Sequence, residues 1–166
     1  MPKRIAILQA HPNPSGGHFA NALADAYAEG ARAAGHEVRS IDVAKLDFPL
    51  LRSAEDFYQG VAPEGVRSAQ DAIRWADHLL IIYPLWLGHF PAVFHSFLEQ
   101  IFRPGFALES GRGRMPKKLV LGKSARIVVT MGMPGLFYRW YYRAHSLKSL
   151  ERNILRFSGV ARSGPH

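Results

Sequence analysis

Residues 11–21 combine groups that bind anions in proteins. The segment reads HPNPSGGHFAN and carries two histidines, the hydroxyl of Ser15 and the amide of Asn21. It leads into a run with helical periodicity. The first N–H groups of a helix lack intrahelical partners and lie at the positive end of its dipole, so this loop is suited to phosphate. An ordinary strand–helix connection, with His11 and His18 as exposed caps, is the alternative.

A second segment, YPLWLGHFPA over 83–92, is suited to a flat aromatic group. Trp86 and Phe90 offer ring faces, and Gly88 with two prolines gives a stiff turn with free backbone amides. Planar cofactors use a stacking surface together with fixed N–H donors for their ring heteroatoms. The same two aromatic residues also fit the core or a subunit contact.

A third segment, TMGMPG over 130–135, brings a hydroxyl and glycines that permit close approach, and Tyr138 and His145 follow it. Each of the three segments comes directly after a short apolar run that is typical of a buried strand. Ligands of open parallel sheets bind beyond the carboxyl ends of the strands, where the strand order reverses. We therefore expect the three segments to meet along one rim.

The elements that must position these loops alternate along the chain. Apolar runs predict strands over 4–10, 36–42, 79–83 and 125–131, and helical spacing predicts helices over 19–35, 66–75, 91–101 and 141–157. The strand over 79–83 is continuously apolar, as a central strand covered on both faces is, and the polar strand over 36–42 suits an edge. Residues 43–64 form a long excursion with a helical turn over 54–59, and residues 103–123 read as a loop.

This alternation predicts an α/β fold, a doubly wound parallel sheet, in a single domain over 1–166. Residues 160–162 begin a further strand, but the sequence ends four residues later. The fifth, edge strand is therefore expected to be missing or to be formed only by the last few residues.

Composition excludes several classes of protein. The chain is 48% hydrophobic and 20% charged, which excludes a disordered chain, and it has no cysteine, which excludes disulfide scaffolds, thiolate metal sites and cysteine nucleophiles. No apolar run approaches the roughly 20 residues that cross a bilayer. The expectation is a cytoplasmic protein without membrane insertion and without a metal site.

The net charge of +8 is concentrated in one part of the chain. Residues 110–150 contain nine lysines and arginines and no acidic residue. This basic stretch suits an anionic partner, such as a phosphorylated cofactor, or is a solvated loop. Nucleic acid is not expected, because the stretch lacks regularly interleaved aromatic residues.

The motifs resemble those of the flavodoxin-like NAD(P)H:quinone oxidoreductases, which include quinone reductases and ancillary reductases of potassium-efflux systems. The resemblance extends over residues 3–160 and is carried by AHPNPSGGHFANAL, DHLLIIYPLWLGHFPAVFHSFLEQIF and GKSARIVVTMGMPGLFYRW. It implies a flavodoxin-like sheet with strand order 2-1-3-4-5. It also implies a flavin cofactor, FAD or FMN with FAD favoured, and NAD(P)H as the electron donor.

The resemblance also implies which residues hold the flavin. The phosphate would be held by His11, His18, Phe19, Ala20 and Asn21. The isoalloxazine would be held by Pro84, Leu85, Trp86, Leu87 and Gly88, and its pyrimidine edge by Thr130, Met131, Gly132 and Met133. Tyr138 and His145 are the nearest matches to the tyrosine and histidine that balance charge after hydride transfer, although Phe137 aligns equally well with that tyrosine.

The implied reaction carries a hydride from NAD(P)H through the flavin to a quinone-like acceptor in one shared pocket, with the residues around 112–126 meeting nucleotide phosphates. An azo- or nitroreductase of the same type, or a non-catalytic ancillary subunit of a transporter, is the alternative. The resemblance further implies a homodimer, for which Phe94, Phe97 and Phe102 offer an aromatic surface that core packing explains equally well.

Overall fold

The computed structural model describes residues 1–107 and 117–162. Its parallel sheet has the strand order β2-β1-β3-β4-β5. The strands are β1 (Arg4–Gln9), β2 (Glu37–Asp42), β3 (His78–Pro84), β4 (Ser124–Thr130) and β5 (Ala161–Arg162). The helices are α1 (Phe19–Ala33), α2 (Ala54–Gln59), α3 (Glu64–Trp75), α4 (Ala92–Ile101), α5 (Gly135–Trp140), α6 (His145–Ser149) and α7 (Arg156–Ser158), with a π-helical stretch over Leu150–Leu155 between the last two. The predicted doubly wound sheet and its strand order are confirmed.

The sheet separates two apolar clusters. Ile5 and Ile7 of β1 pack with the buried alanines of α1 on one face, and the larger cluster, which includes Phe94 and Phe97 of α4, fills the other. Side chains alternate between the faces along each strand, so β1 and β3 supply both clusters. Every residue of β3 is buried, as predicted for the central strand.

The fifth strand is short. Ala161 and Arg162 pair in parallel with Ser124 and Ala125 at the amino end of β4. The expectation that this strand is formed only by the last few residues is confirmed.

The helix predicted over 141–157 is wrong in its bounds. A helix already begins at Gly135, and the chain then breaks at Arg143 and Ala144, which both have left-handed φ angles of 50° and 51°. The following π-helical stretch has more residues per turn than an α-helix, so it rotates the later side chains relative to those of a continuous α-helix. As a result Leu155 is buried, whereas Phe157 is 51% exposed.

The aromatic residues proposed for a subunit contact belong largely to the core. Phe94 and Phe97 are both 0% exposed. The ring of Phe94 contacts Tyr83 and Phe90, and the ring of Phe97 contacts Phe48. Since both side chains face the sheet of their own chain, they cannot form the surface of a dimer.

Buried His78 makes stability depend on pH. Its Nδ1 lies 2.7 Å from Ser124 Oγ, and burial, together with Lys3 and Arg126, lowers its pKa below 6.5. A histidine whose pKa is lowered by folding takes up its proton more readily in the unfolded chain. The free energy of unfolding therefore falls as the pH drops below the pKa of the unfolded chain and through the lower pKa of the folded chain.

We therefore expect the urea midpoint of unfolding to decrease between about pH 7.5 and about pH 5, and the decrease to be smaller in His78→Asn. Asp77 does not disturb this window, because hydrogen bonds from Arg4 hold the pKa of its carboxyl far below the usual value. An equal pH dependence in wild type and variant would contradict the assignment.

Candidate functional site

The three loops that follow β1, β3 and β4 meet at the carboxyl edge of the sheet. The rings of His11 and Trp86 lie 6.3 Å apart in an edge-on arrangement. The N–H of Leu85 donates to the carbonyl of Thr130 at 2.8 Å. The predicted common rim is thus present in the structure.

The loop after β1 is organised by its own side chains. Asn13 N–H donates to Nδ1 of His11 at 3.3 Å, and Ser15 N–H donates to Oδ1 of Asn13 at 2.9 Å. Because Nδ1 of His11 accepts, we assign the proton of the neutral ring to Nε2, which is then a donor. His18 precedes α1, and its N–H donates to Oδ1 of Asn21 at 3.2 Å, which leaves the Nδ2 group of Asn21 as a donor.

His11 and His18 are stacked rather than separately exposed. Their ring centroids lie 3.9 Å apart with an interplanar angle of 18°. Burial and the neighbouring His18 lower the pKa of His11, so His11 is neutral near pH 7. Phe19, which follows His18, is 69% exposed, and Ala20 is buried.

The loop after β3 is a tight turn with positive φ at both central positions. Trp86 and His89 exchange backbone hydrogen bonds of 2.8 and 2.9 Å. Leu87 has a φ of 49° and Gly88 a φ of 78°, as in a type I′ turn. A left-handed leucine costs about 1 kcal/mol, and its side chain is fully exposed. Strain of this kind is concentrated at ligand-binding sites.

Tyr142 closes the other side of this turn. A Cβ on Gly88 would lie 2.8 Å from Cε1 of Tyr142. The Tyr142 ring also contacts Phe137 and Tyr141, whose rings stack in parallel with centroids 5.1 Å apart. An aromatic wall of Phe137, Tyr141 and Tyr142 therefore stands next to the turn.

Tyr138 and His145, the predicted charge-balancing pair, occupy different environments. Tyr138 is 3% exposed. Its hydroxyl lies 2.7 Å from Ser146 Oγ and accepts a hydrogen bond from Leu147 N–H. Ser146 also lies 3.3 Å from the buried hydroxyl of Tyr83, whose pKa is raised by burial. His145 is exposed, and its ring lies 6.0 Å from that of His89.

Several buried polar atoms near the start of α1 have no partner. Both side-chain polar atoms of Gln9 and Nε2 of His18 are buried without a hydrogen bond. Buried polar groups are rarely left unpaired, so such atoms indicate a missing ligand or water. The residues present therefore fit a phosphorylated group at the amino end of α1. Thr130, Met131 and Met133 are half-buried at the same rim, and Gly132 is exposed.

Lys118 and Lys123 of the basic stretch bind backbone carbonyls of their own chain. The amine of Lys123 donates to the carbonyls of Arg74 and Ala76 at the opposite edge of the sheet. Lys118 donates to the carbonyl of Arg156 at 2.8 Å. The expectation of contacts with nucleotide phosphates thus gains no support from these two residues and stays a prediction, and Arg112 and Arg114 lie outside the described residues.

The profile of a family described as "Flavodoxin-like fold" matches residues 3–166. The chain belongs to this flavodoxin-like family. An uncharacterized NAD(P)H oxidoreductase of Haemophilus influenzae is 30% identical over 129 residues, which cover 76% of this chain and 63% of that protein. A ribosyldihydronicotinamide dehydrogenase-like protein of Penicillium crustosum is 26% identical over 155 residues, which cover 78% of this chain and 57% of that protein.

A solved structure with the same fold is the NAD(P)H:quinone oxidoreductase of Methanothermobacter marburgensis. It superposes with a TM-score of 0.74 at 22% identity and covers 98% of this chain and 83% of that one. The chain spans only about 60% of the length of each of the two relatives from Haemophilus influenzae and Penicillium crustosum. No helix among residues 1–107 and 117–162 is long and apolar enough to cross a membrane.

Three residues at the site were not expected from the sequence. Gln9 is a polar residue at the end of an otherwise apolar strand, which is a visible but ambiguous signal. Tyr142 and Ser146 carry no local signal, because each acquires its contact from a distant element, the turn at Gly88 and the hydroxyl of Tyr83.

Proposed function

We propose that this protein is a flavin-dependent oxidoreductase that oxidises NAD(P)H and reduces a quinone or a similar acceptor. The observation that carries the proposal is the meeting of the His11 loop, the Trp86 turn and the Thr130 segment at one rim. A bound flavin would supply the hydride chemistry. The chain's residues would bind it, orient it and exclude water from it.

The first turn of α1 would hold the phosphate. Its free N–H groups lie at the positive end of the helix dipole. Nε2–H of His11 and Nδ2–H of Asn21 add side-chain donors, because the opposite atom of each side chain already accepts a hydrogen bond within the loop. Phe19 would cover the group from the solvent side.

The loop after β3 would hold the ring system. Pro84 ends the central strand, Leu85 follows it, and Trp86 and Leu87 present exposed apolar side chains. Backbone donors in the turn at Gly88 and in the segment Thr130–Met133 would orient ring heteroatoms and stabilise negative charge on the reduced ring.

Tyr138 and His145 take separate roles in this proposal. His145 would hold a proton at the solvent side of the turn. Tyr138 would act as a positioning residue, because its hydroxyl is buried against Ser146 and Leu147 and orders α5 and α6 around the site.

The protein would act as a homodimer through one face of α5. Leu136, Phe137 and Trp140 of α5 and Tyr141 directly after it are each at least 45% exposed, whereas Tyr138 is buried. Contiguous exposed apolar surface of this kind marks an interaction site. It also adjoins the Trp86 turn through Tyr142, so a second copy would help to enclose the site.

The experiment that tests the proposed function is flavin titration followed by turnover. Wild-type protein should bind FMN or FAD and oxidise NADH or NADPH with quinone, azo or nitro acceptors. His11→Ala and Asn21→Ala should each weaken flavin affinity by about 1–3 kcal/mol. His36→Ala is the matched control, because His36 lies at the opposite end of α1, where Nδ1 accepts from Lys3 N–H. A chain that takes up neither flavin would refute the proposal.

A further inference from the structure

Gln9 is the most deeply buried polar side chain next to the proposed phosphate site. It is 5% exposed, and neither Oε1 nor Nε2 has a hydrogen-bond partner. The other buried glutamines of the described chain each use the amide nitrogen: Gln70 Nε2 donates to the Ile101 carbonyl at 2.9 Å, and Gln100 Nε2 donates to the Pro49 carbonyl at 2.7 Å. Gln9 therefore differs from them in having an unused donor.

The strand geometry places this carboxamide beneath the first turn of α1. Alternate residues of a strand share a face, so Gln9 lies on the same face as Ile5 and Ile7, which pack against the alanines of α1. Gln9 ends β1, and α1 runs back over the sheet, so the end of β1 lies under the beginning of the helix. There α1 presents Ala20, a side chain small enough to leave room for the amide.

The same junction contains a second unpaired buried atom. Nε2 of His18 is buried without a partner, although the backbone N–H of His18 donates to Oδ1 of Asn21. Three unpaired polar atoms thus belong to two residues that flank the amino end of a 15-residue helix. Leaving a buried donor unsatisfied costs about 1–3 kcal/mol, so this arrangement is costly unless a ligand or a water completes it.

We propose that Gln9 is a cofactor-binding residue whose Nε2–H donates to the phosphate of the flavin, from beneath the loop that His11 and Asn21 flank. The proposal rests on the proposed function. The donor is neutral and lies in a site of low polarity, where a hydrogen bond to an anionic oxygen is stronger than in water. Gln9 thereby favours phosphorylated flavins over riboflavin.

Two opposite effects of one substitution test this role. Gln9→Leu removes the amide at similar volume, and Gln9→Met provides an unbranched second variant if the leucine variant does not fold. We expect the affinity for FMN and FAD, measured by fluorescence titration, to fall roughly tenfold to a hundredfold, while the affinity for riboflavin stays the same. We also expect the cofactor-free variant to unfold at a higher temperature, because an unpaired polar group has been removed.

Gln70→Leu is the matched control. It breaks an existing buried hydrogen bond, so the cofactor-free protein should become less stable while the preference for FMN over riboflavin stays unchanged. An unchanged preference in Gln9→Leu and Gln9→Met, or a loss of stability in their cofactor-free forms, overturns the inference and leaves the proposed function intact. A wild type that binds no flavin overturns both.

Discussion

Gly88→Ala will lower the stability of the protein by about 2–3 kcal/mol and will weaken flavin binding. Two causes add. Gly88 has a φ of 78°, which costs a residue with a Cβ about 1 kcal/mol, and the new Cβ would lie 2.8 Å from Tyr142 Cε1. The ring must then move away from the turn and lose its contacts with Phe137 and Tyr141. Urea unfolding and FMN titration measure the two consequences.

Gly122→Ala is the control that separates strain from collision. Gly122 has a φ of 74°, and a Cβ there meets nothing within 4 Å. We expect the free energy of unfolding of this variant to fall only by the cost of a positive φ at a residue with a Cβ, about 1 kcal/mol, and we expect the variant to bind flavin normally. Adding Tyr142→Ala to Gly88→Ala should relieve the collision and restore part of the flavin affinity. Equal losses of stability in the two alanine variants would show that Tyr142 does not press on the turn.

Phe97→Ala will destabilise the protein by about 3–5 kcal/mol, the usual cost of emptying an aromatic site in a core. Phe97 is fully buried between α4 and the sheet, with Phe48 as its ring neighbour. The loss should be seen in the urea midpoint at every protein concentration, since the side chain stabilises its own chain. A loss of this size approaches the whole free energy of unfolding of a marginally stable small domain.

Trp140→Ala serves as the opposite case. Trp140 is 82% exposed on the face of α5, so its removal should change the unfolding free energy of a single chain by less than about 0.5 kcal/mol. If this face joins two copies, the variant will shift the association measured by analytical ultracentrifugation toward the monomer. If Phe97→Ala instead gave a monomer with an unchanged free energy of unfolding, Phe97 would belong to a subunit contact and α4 would be the dimer surface.

The sequence was sufficient for the order of the strands because each strand has its own local signal. The continuous run over 79–83 and the polar run over 36–42 predicted a central and an edge strand, and the helical turn over Ala54–Gln59 was also predicted. The failure over 141–157 has a physical cause. Apolar spacing does not distinguish an α-helix from one that contains a π-helical turn, and the left-handed Arg143 and Ala144 are residue types that rarely adopt that conformation.

The rim was predictable for a topological reason, and its details were not. Carboxyl ends of neighbouring parallel strands share an edge, so the loops that follow them must meet. The contact between Tyr142 and Gly88 depends on how α5 and α6 fold back over the turn, which no local pattern encodes. The unpaired amide of Gln9 depends on the depth at which α1 lies over the sheet. Both are consequences of packing between distant segments.

The hydrogen bond from Leu85 to Thr130 has a mechanical consequence. It joins Leu85, the first residue after β3, to Thr130, the last residue of β4, while the two bonds between Trp86 and His89 close the turn on itself. The turn that carries Trp86 and the segment that starts at Thr130 therefore share a direct backbone connection. A molecule that moved the Thr130 carbonyl would have to break this hydrogen bond or draw Leu85 with it, so Leu85 is the point at which the two sides of the cleft are joined.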